Sequence, residues 1–113
     1  MFTTPTPSLH RFHAYQLALQ LRRSVLRWLP LKRAELSDQL DRASLSVALN
    51  IAEGAGRSTP RERARHHTIA RGSAVECLAC LDLLELELSS PSTVEARATL
   101  LRLLNVLTAL IRR

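Results

Sequence analysis

Three prolines, Pro30, Pro60 and Pro91, cut the chain at near-regular intervals. Proline is accepted in loops and in the first turn of a helix. In a helix interior it removes a hydrogen bond and clashes with the preceding turn. Each of the four resulting pieces is long enough for one helix and carries apolar residues at a 3–4 spacing. Composition points the same way: 23 leucines and 14 alanines stand against only 8 valines and isoleucines together. Leucine and alanine lose little rotamer freedom in a helix, whereas β-branched residues pack better on a sheet.

The spacing predicts a first helix from about His13 to Leu29, with Ala14, Ala18, Leu21, Val25 and Trp28 inward and Tyr15, Leu19 and Leu26 widening the stripe. A second runs from about Glu35 to Ala55 on Leu36, Leu40, Ala43, Val47 and Ile51, ended by Gly54 and Gly56. Thr59-Pro60-Arg61-Glu62 is a capping box opening a third helix, whose stripe is Ala70, Ala74, Cys77, Leu81, Leu84 and Leu88. Ser92-Thr93-Val94-Glu95 is a second such box, and the fourth helix follows on Val94, Ala98, Leu101, Leu104, Leu107 and Ile111. Short loops join antiparallel neighbours. The expectation is an all-α, antiparallel up-down-up-down four-helix bundle over residues 12–113, behind a flexible N-terminal tail, residues 1–11.

Several functions are disfavoured. Gly54, Gly56 and Gly72 are too few and wrongly spaced for a Rossmann or P-loop phosphate cradle. Cys77-x-x-Cys80 sits inside a helical pattern with no strand before it, and His67 lies about 15 Å back along the helix, so buried free thiols are expected rather than a redox or zinc site. His10-x-x-His13 has a helical ligand spacing but lies beside the tail, where a solvated pair is expected. No nucleophile–base arrangement stands out, so no enzyme, cofactor or metal is expected. Met1 to Ser8 lacks the basic and apolar regions of a signal peptide, and the late apolar run Leu103–Ile111 is too short to span a bilayer; a cytoplasmic protein without a membrane partner is expected.

Two helices carry more apolar residues than one core requires. Leu45, Ala48, Leu49 and Ala52 lie largely opposite the main stripe of the second helix, and Val75, Ala79, Leu83 and Leu86 do so on the third. A helix apolar on both sides is buried on both sides. Either the stripe is simply wide, or this face is a subunit interface; the latter is the expectation.

Charge is segregated. The formal net charge is +6. Residues 54–71 hold Arg57, Arg61, Arg63, Arg65 and Arg71 against Glu62, a net of +4, whereas residues 72–96 hold five acids and no base. This order opposes the helix macrodipole. Arg57, Arg61, Arg63 and Arg65, beside free N–H groups at a helix start, form a candidate phosphate site. Arg22, Arg23, Arg27, Lys32 and Arg33 form a second basic group at the end of the first helix and in the following loop, where the sign agrees with the dipole; Arg22, Arg23 and Arg27 are its candidate phosphate contacts. A solvated face, or basic-to-acidic subunit packing, would explain the same pattern. The basic segment has no aromatic residue, which disfavours a base-stacking platform but leaves backbone contact open.

The centre of the chain carries three motifs in order: Gln39-Leu40-x-Arg42-Ala43-x-x-Ser46, Asn50-Ile51-Ala52-Glu53-Gly54-x-Gly56-Arg57 and Ile69-Ala70-x-Gly72-Ser73-x-x-Glu76. They resemble the four-helix bundle proteins first noticed in 23S rRNA intervening sequences, and Tyr15-Gln16-Leu17-Ala18 is similar too. The likeness runs from Phe12 to about Leu88, departing at Cys77-x-x-Cys80 and at His66-His67, where an aromatic is usual. It implies a small bacterial cytosolic bundle assembled as a homopentamer. A more distant likeness, to the accessory protein of diversity-generating retroelements, implies a basic ring that binds nucleic acid and a protein partner.

The same residues have a physical reading. With the second and third helices antiparallel about Arg57, Ala43 and Ser46 face Ala70 and Ser73, Gln39 faces Glu76, and Asn50 and Glu53 meet the start of the third helix. Gln39, Ser46, Asn50, Glu53, Ser73 and Glu76 are expected to form a polar network that fixes register, with Glu53 and Arg57 as an i,i+4 pair and Gly72 allowing close approach. The functional expectation is a noncatalytic oligomer that binds RNA or DNA through its basic surface. The alternative is a protein-binding scaffold.

Overall fold

The computed structural model describes residues 7–87 and 91–112. It is built of helices α1 (Pro7–Arg11), α2 (His13–Trp28), α3 (Ala34–Ala55), α4 (Pro60–Glu87) and α5 (Pro91–Ile111). The four long helices correspond to the four pieces set off by proline. α1 is an additional short helix, inside the segment read as a tail.

Their ends follow local chemistry. Pro30 cannot continue α2, which closes with Leu29 N–H donating to Val25 O at 3.2 Å. Ser37 Oγ accepts the Leu31 N–H at 3.0 Å and ties down the α2–α3 connection. Thr59 caps α4: its hydroxyl oxygen accepts the Glu62 N–H at 3.2 Å and its proton goes to the Glu62 carboxylate at 3.0 Å. α5 starts at Pro91, one residue before the box at Ser92. The Ser92 side chain and Leu88 lie outside the described residues.

Of the two glycines expected to end α3, Gly56 does so and Gly54 does not. Gly56 is the C-cap of α3 with ordinary right-handed geometry, φ −88°, and its N–H donates to Ala52 O and Glu53 O. Gly54 is a buried interior residue: a Cβ there would lie 2.8 Å from His67 Nε2 and 3.3 Å from Arg63 O. It permits close contact of α3 with α4 rather than ending α3. The close approach assigned to Gly72 is absent, since a Cβ there would meet nothing within 4 Å.

Each long helix packs on its sequence neighbours, and α2 closes the set against α5. Cross-helix contacts run Arg33–Glu87, Gln39–Glu76 and Ser46–Ser73, so α3 and α4 are antiparallel. The core holds Ala14, Leu17, Ala18, Leu21 and Val25 from α2 and Leu36, Leu40, Ala43, Val47 and Ile51 from α3. α4 adds Ala70, Ala74, Cys77, Leu81 and Leu84. Each fully buried leucine contributes about 1.5–3 kcal/mol.

Two stripes need correction. In α5 the core residues are Ala96, Leu100, Leu103 and Leu107, while the expected Val94, Ala98 and Leu101 are exposed. Apolar residues surround this helix, so more than one stripe satisfies the 3–4 spacing, and packing chose another. On α2, Leu26 is exposed and Trp28 only half-buried.

Candidate functional site

The α3–α4 turn projects the basic cluster. Arg57, Arg61 and Arg65 are exposed and Arg63 is half-buried. Arg57 donates to Glu53 Oε2 at 2.7 Å, the i,i+4 pair anticipated from spacing, and Arg63 Nη1 donates to Arg57 O at 3.2 Å. Arg61 and Arg65 make no ion pair among the described residues.

Topology enlarges this cluster. Four long helices return the chain to the end where it began, so the α3–α4 turn meets the start of α2 and the end of α5. Arg63 and Pro60 share a cavity with Leu9, Phe12, Leu110 and Ile111. Arg11 and Arg112, adjacent in sequence to those wall residues, are exposed at the same end. Sequence reasoning missed both. Counting the helices, and noting that an even number brings both termini to one turn, would have found them.

The second basic group is not part of this end. Arg22 is not free for a ligand: it reaches across to α3, pairing with Asp41 Oδ1 at 2.7 Å and donating to Asp41 O and Ser44 Oγ. The expectation that it contacts phosphate is corrected by that pairing. Arg23 and Arg27 point elsewhere. With Arg102 of α5 they line a groove between α2 and α5, floored by the buried Ser24 and Thr99 and carrying one acid, Glu95.

The acidic half of α4 is largely offset by neighbours. Arg97 of α5 bridges Asp82 and Glu85, each at 2.7 Å, and these carboxylates hold its pKa above the ordinary value. Arg33 pairs with Glu87 at 3.0 Å, with the same direction of shift. Among the described residues, the acids at the α3–α4 turn are Glu53 and Glu62.

The polar residues at the α3–α4 contact meet as their spacing suggests. Gln39 Nε2 donates to Glu76 Oε2 at 2.6 Å, Ser46 and Ser73 hydroxyls are 2.8 Å apart, and Asn50 Nδ2 donates to Ser46 O and Oγ. His66 Nδ1 lies 3.4 Å from Asn50 Oδ1. Only Ser73 is buried; Gln39, Ser46 and Asn50 are half-buried, and Glu53 and Glu76 exposed. The line runs along the rim of the contact, where water reaches it.

The second apolar face is present in part. Leu45, Leu49, Val75, Leu83 and Leu86 are exposed, Leu86 by 84%. Ala79 is exposed and Ala52 half-buried. Ala48 is instead buried within the subunit, because α3 is covered more widely than one narrow stripe. Cys77 and Cys80 are buried free thiols. Burial first, then Cys80 and Glu76, pushes Cys77 up to about 12, and Cys80 is also raised. Among the described residues, no group of three or more His, Cys, Asp and Glu side chains is placed to hold a metal. None of the described helices is long and apolar enough to cross a membrane.

Comparison with known proteins agrees with this architecture. A crystal structure of a protein of unknown function from the S23 ribosomal protein family, from Bacteroides thetaiotaomicron, superposes with a TM-score of 0.80 at 17% identity. The likeness covers 88% of this chain and 99% of that one, and at this identity it speaks for the fold. No curated protein sequence matches. The family described as 23S rRNA-intervening sequence proteins matches residues 10–108, nearly the whole chain, and the chain belongs to that family.

Proposed function

We propose that the protein is a noncatalytic, cytoplasmic homo-oligomer that binds nucleic-acid phosphate, RNA foremost, through its basic end. The supporting observation is the gathering of Arg11, Arg57, Arg61, Arg65 and Arg112 at one end, with Glu53 and Glu62 the acids among the described residues of the α3–α4 turn. The start of the long helix α4 adds its positive dipole end. Arginine forks suit phosphate oxygens, and the lack of Phe, Tyr or Trp within the basic segment, residues 54–71, suits backbone contact without base reading. Arg23, Arg27 and Arg102 in the α2–α5 groove are a second, smaller phosphate surface.

Assembly supports the same reading. The exposed Leu45, Leu49, Val75, Leu83 and Leu86 form an apolar face that a second copy would cover, and the family resemblance suggests a ring of five. A ring would repeat the basic end and multiply a weak contact. That apolar face also supports the second reading, a scaffold that binds another protein without nucleic acid.

Labelled structured RNA and duplex DNA titrated at two ionic strengths test the proposal. Binding should weaken steeply as salt rises, and Arg61→Glu with Arg65→Glu should weaken it while leaving the light-scattering mass unchanged. No binding at low salt overturns the phosphate reading, and a monomeric mass overturns the assembly.

A further inference from the structure

Ser24 and Thr99, on the floor of the α2–α5 groove, are 7% and 8% exposed. A buried hydroxyl inside a helix commonly donates to the carbonyl one turn back. Thr68 does so to Ala64 O and Thr108 to Leu104 O, each at 2.8 Å. Ser24 and Thr99 do not. Ser24 Oγ accepts from Arg27 Nη2 at 3.3 Å, and its own proton meets no acceptor among the described residues. The Thr99 hydroxyl has no hydrogen-bond partner among them at all. It is not sealed away as the unpartnered Thr93 hydroxyl is: it opens on the groove. Valine would fill either place without the polar atom. Two donors left over at one spot point to an acceptor that arrives from outside.

The rim says what charge that acceptor carries. Arg23 and Arg27 stand one turn apart on α2, and Arg102 stands one turn from Thr99 on α5; all three are exposed. Elsewhere arginines reach acids, as Arg22, Arg33, Arg57 and Arg97 do. These three pair with no carboxylate among the described residues, although Glu95 lines the same groove. Three guanidinium groups against one acid leave two net positive charges over two buried hydroxyl donors.

We infer that this groove binds a phosphate monoester, the dianionic group at the end of a nucleic-acid strand. The inference rests on the phosphate-binding reading above and gives its second surface a separate task. A phosphodiester within a strand offers two free oxygens and one charge. A terminal phosphate offers three oxygens and a charge of about −1.5 to −2. That matches the arginine forks, the two hydroxyls and the two net charges. None of the described residues lining the groove is aromatic, so nothing there holds the base of a free nucleotide. A strand gains more, because its following phosphates reach the basic end. Arg112 lies ten residues beyond Arg102. That is about 15 Å along the α5 axis, the span of about four or five stacked nucleotides.

The test uses the full chain and a ten-nucleotide RNA labelled at its 3′ end, with either a 5′-phosphate or a 5′-hydroxyl. Fluorescence anisotropy at low salt should give about tenfold tighter binding for the 5′-phosphate form. An eleven-nucleotide RNA with a 5′-hydroxyl, which carries its extra charge as a diester, should bind like the shorter hydroxyl form. Arg23→Gln with Arg102→Gln should bring the two ten-nucleotide forms to equal affinity. Thr99→Val should cut the preference about threefold or more, with the unfolding midpoint unchanged or raised. Glu95→Gln should widen it about threefold. Arg61→Glu with Arg65→Glu should weaken both forms alike and keep their ratio. Uridine 5′-monophosphate should compete at least about tenfold more weakly than the 5′-phosphate RNA. Equal binding of both forms by the unaltered chain overturns the inference and leaves the basic-end reading standing, whereas binding of the 5′-phosphate form alone does the reverse. No binding of either overturns both. A preference that survives Arg23→Gln with Arg102→Gln overturns the groove as its seat. Uridine monophosphate or a phosphoserine peptide bound as tightly as the 5′-phosphate RNA overturns the strand end as ligand.

Discussion

Replacing Gly54 with alanine puts a single methyl group into a close contact between α3 and α4. Two effects compete. Alanine is the better helix former by about 1 kcal/mol, and Gly54 has right-handed geometry that alanine accepts. Against this, the new Cβ would stand 2.8 Å from His67 Nε2, 2.9 Å from His67 Cδ2 and 3.3 Å from the Arg63 carbonyl oxygen. The ring is buried and the carbonyl is backbone, so neither yields freely. Overpacking of this kind costs about 1–3 kcal/mol, and with a fixed ring the upper part of that range applies. The net expectation for Gly54→Ala is a loss of about 1–2 kcal/mol. Urea denaturation followed by helical circular dichroism at one fixed protein concentration measures it. Gly72→Ala is the internal control: its Cβ meets nothing, so the propensity gain stands alone and stability rises by about 1 kcal/mol. A third chain, Gly54→Ala with His67→Ala, removes the obstruction, so alanine at position 54 becomes neutral or favourable in that background, a coupling of roughly 2 kcal/mol. Wild-type stability or better for Gly54→Ala alone would refute the close contact between α3 and α4.

Three further outcomes follow from single groups. Arg97→Ala leaves Asp82 and Glu85 repelling one another on α4 and should lower stability by about 0.5–1 kcal/mol, the difference shrinking when unfolding is repeated in 1 M salt. His67 has its pKa lowered by burial, and then by His66 and Arg63. Its contribution is therefore intact above the ordinary value of 6.5, and stability declines as pH falls below it, because the unfolded chain takes the proton first. His67→Phe should flatten that part of the pH–stability curve. Cys77 is pushed up to about 12, so thiol reagent at pH 8 should label it slowly in the folded protein and rapidly in urea.

How far the sequence could be read depended on how one-sided each helix was. Prolines and the Thr59 cap placed the ends, because a missing N–H and a hydroxyl acceptor act locally. The α3 stripe Leu36, Leu40, Ala43, Val47 and Ile51 is buried throughout. In α5, where leucine lies on several faces, the same spacing supported two stripes, and only contact with α2 and α4 selected Ala96–Leu100–Leu103–Leu107. Charge behaved alike. Its segregation along the chain was plain, but nothing local to Arg22 announced Asp41 across the α2–α3 contact. Gly54 was legible as important and misread in purpose. A glycine near a helix end looks like a terminator until the partner helix is seen to press on it.

The bridge from Arg97 to Asp82 and Glu85 has a consequence for the opposite end of the molecule. Because Arg97 and Arg33 offset the acids on the far half of α4, those acids offer little long-range attraction to the arginines around Arg57. The basic end consequently repels itself, and salt or a bound polyanion relieves that repulsion. A ligand that relieves strain in the folded state alone also raises its melting temperature by mass action. On the proposed phosphate-binding reading, heparin or RNA added to the purified protein should raise its melting temperature before any sequence preference comes into play.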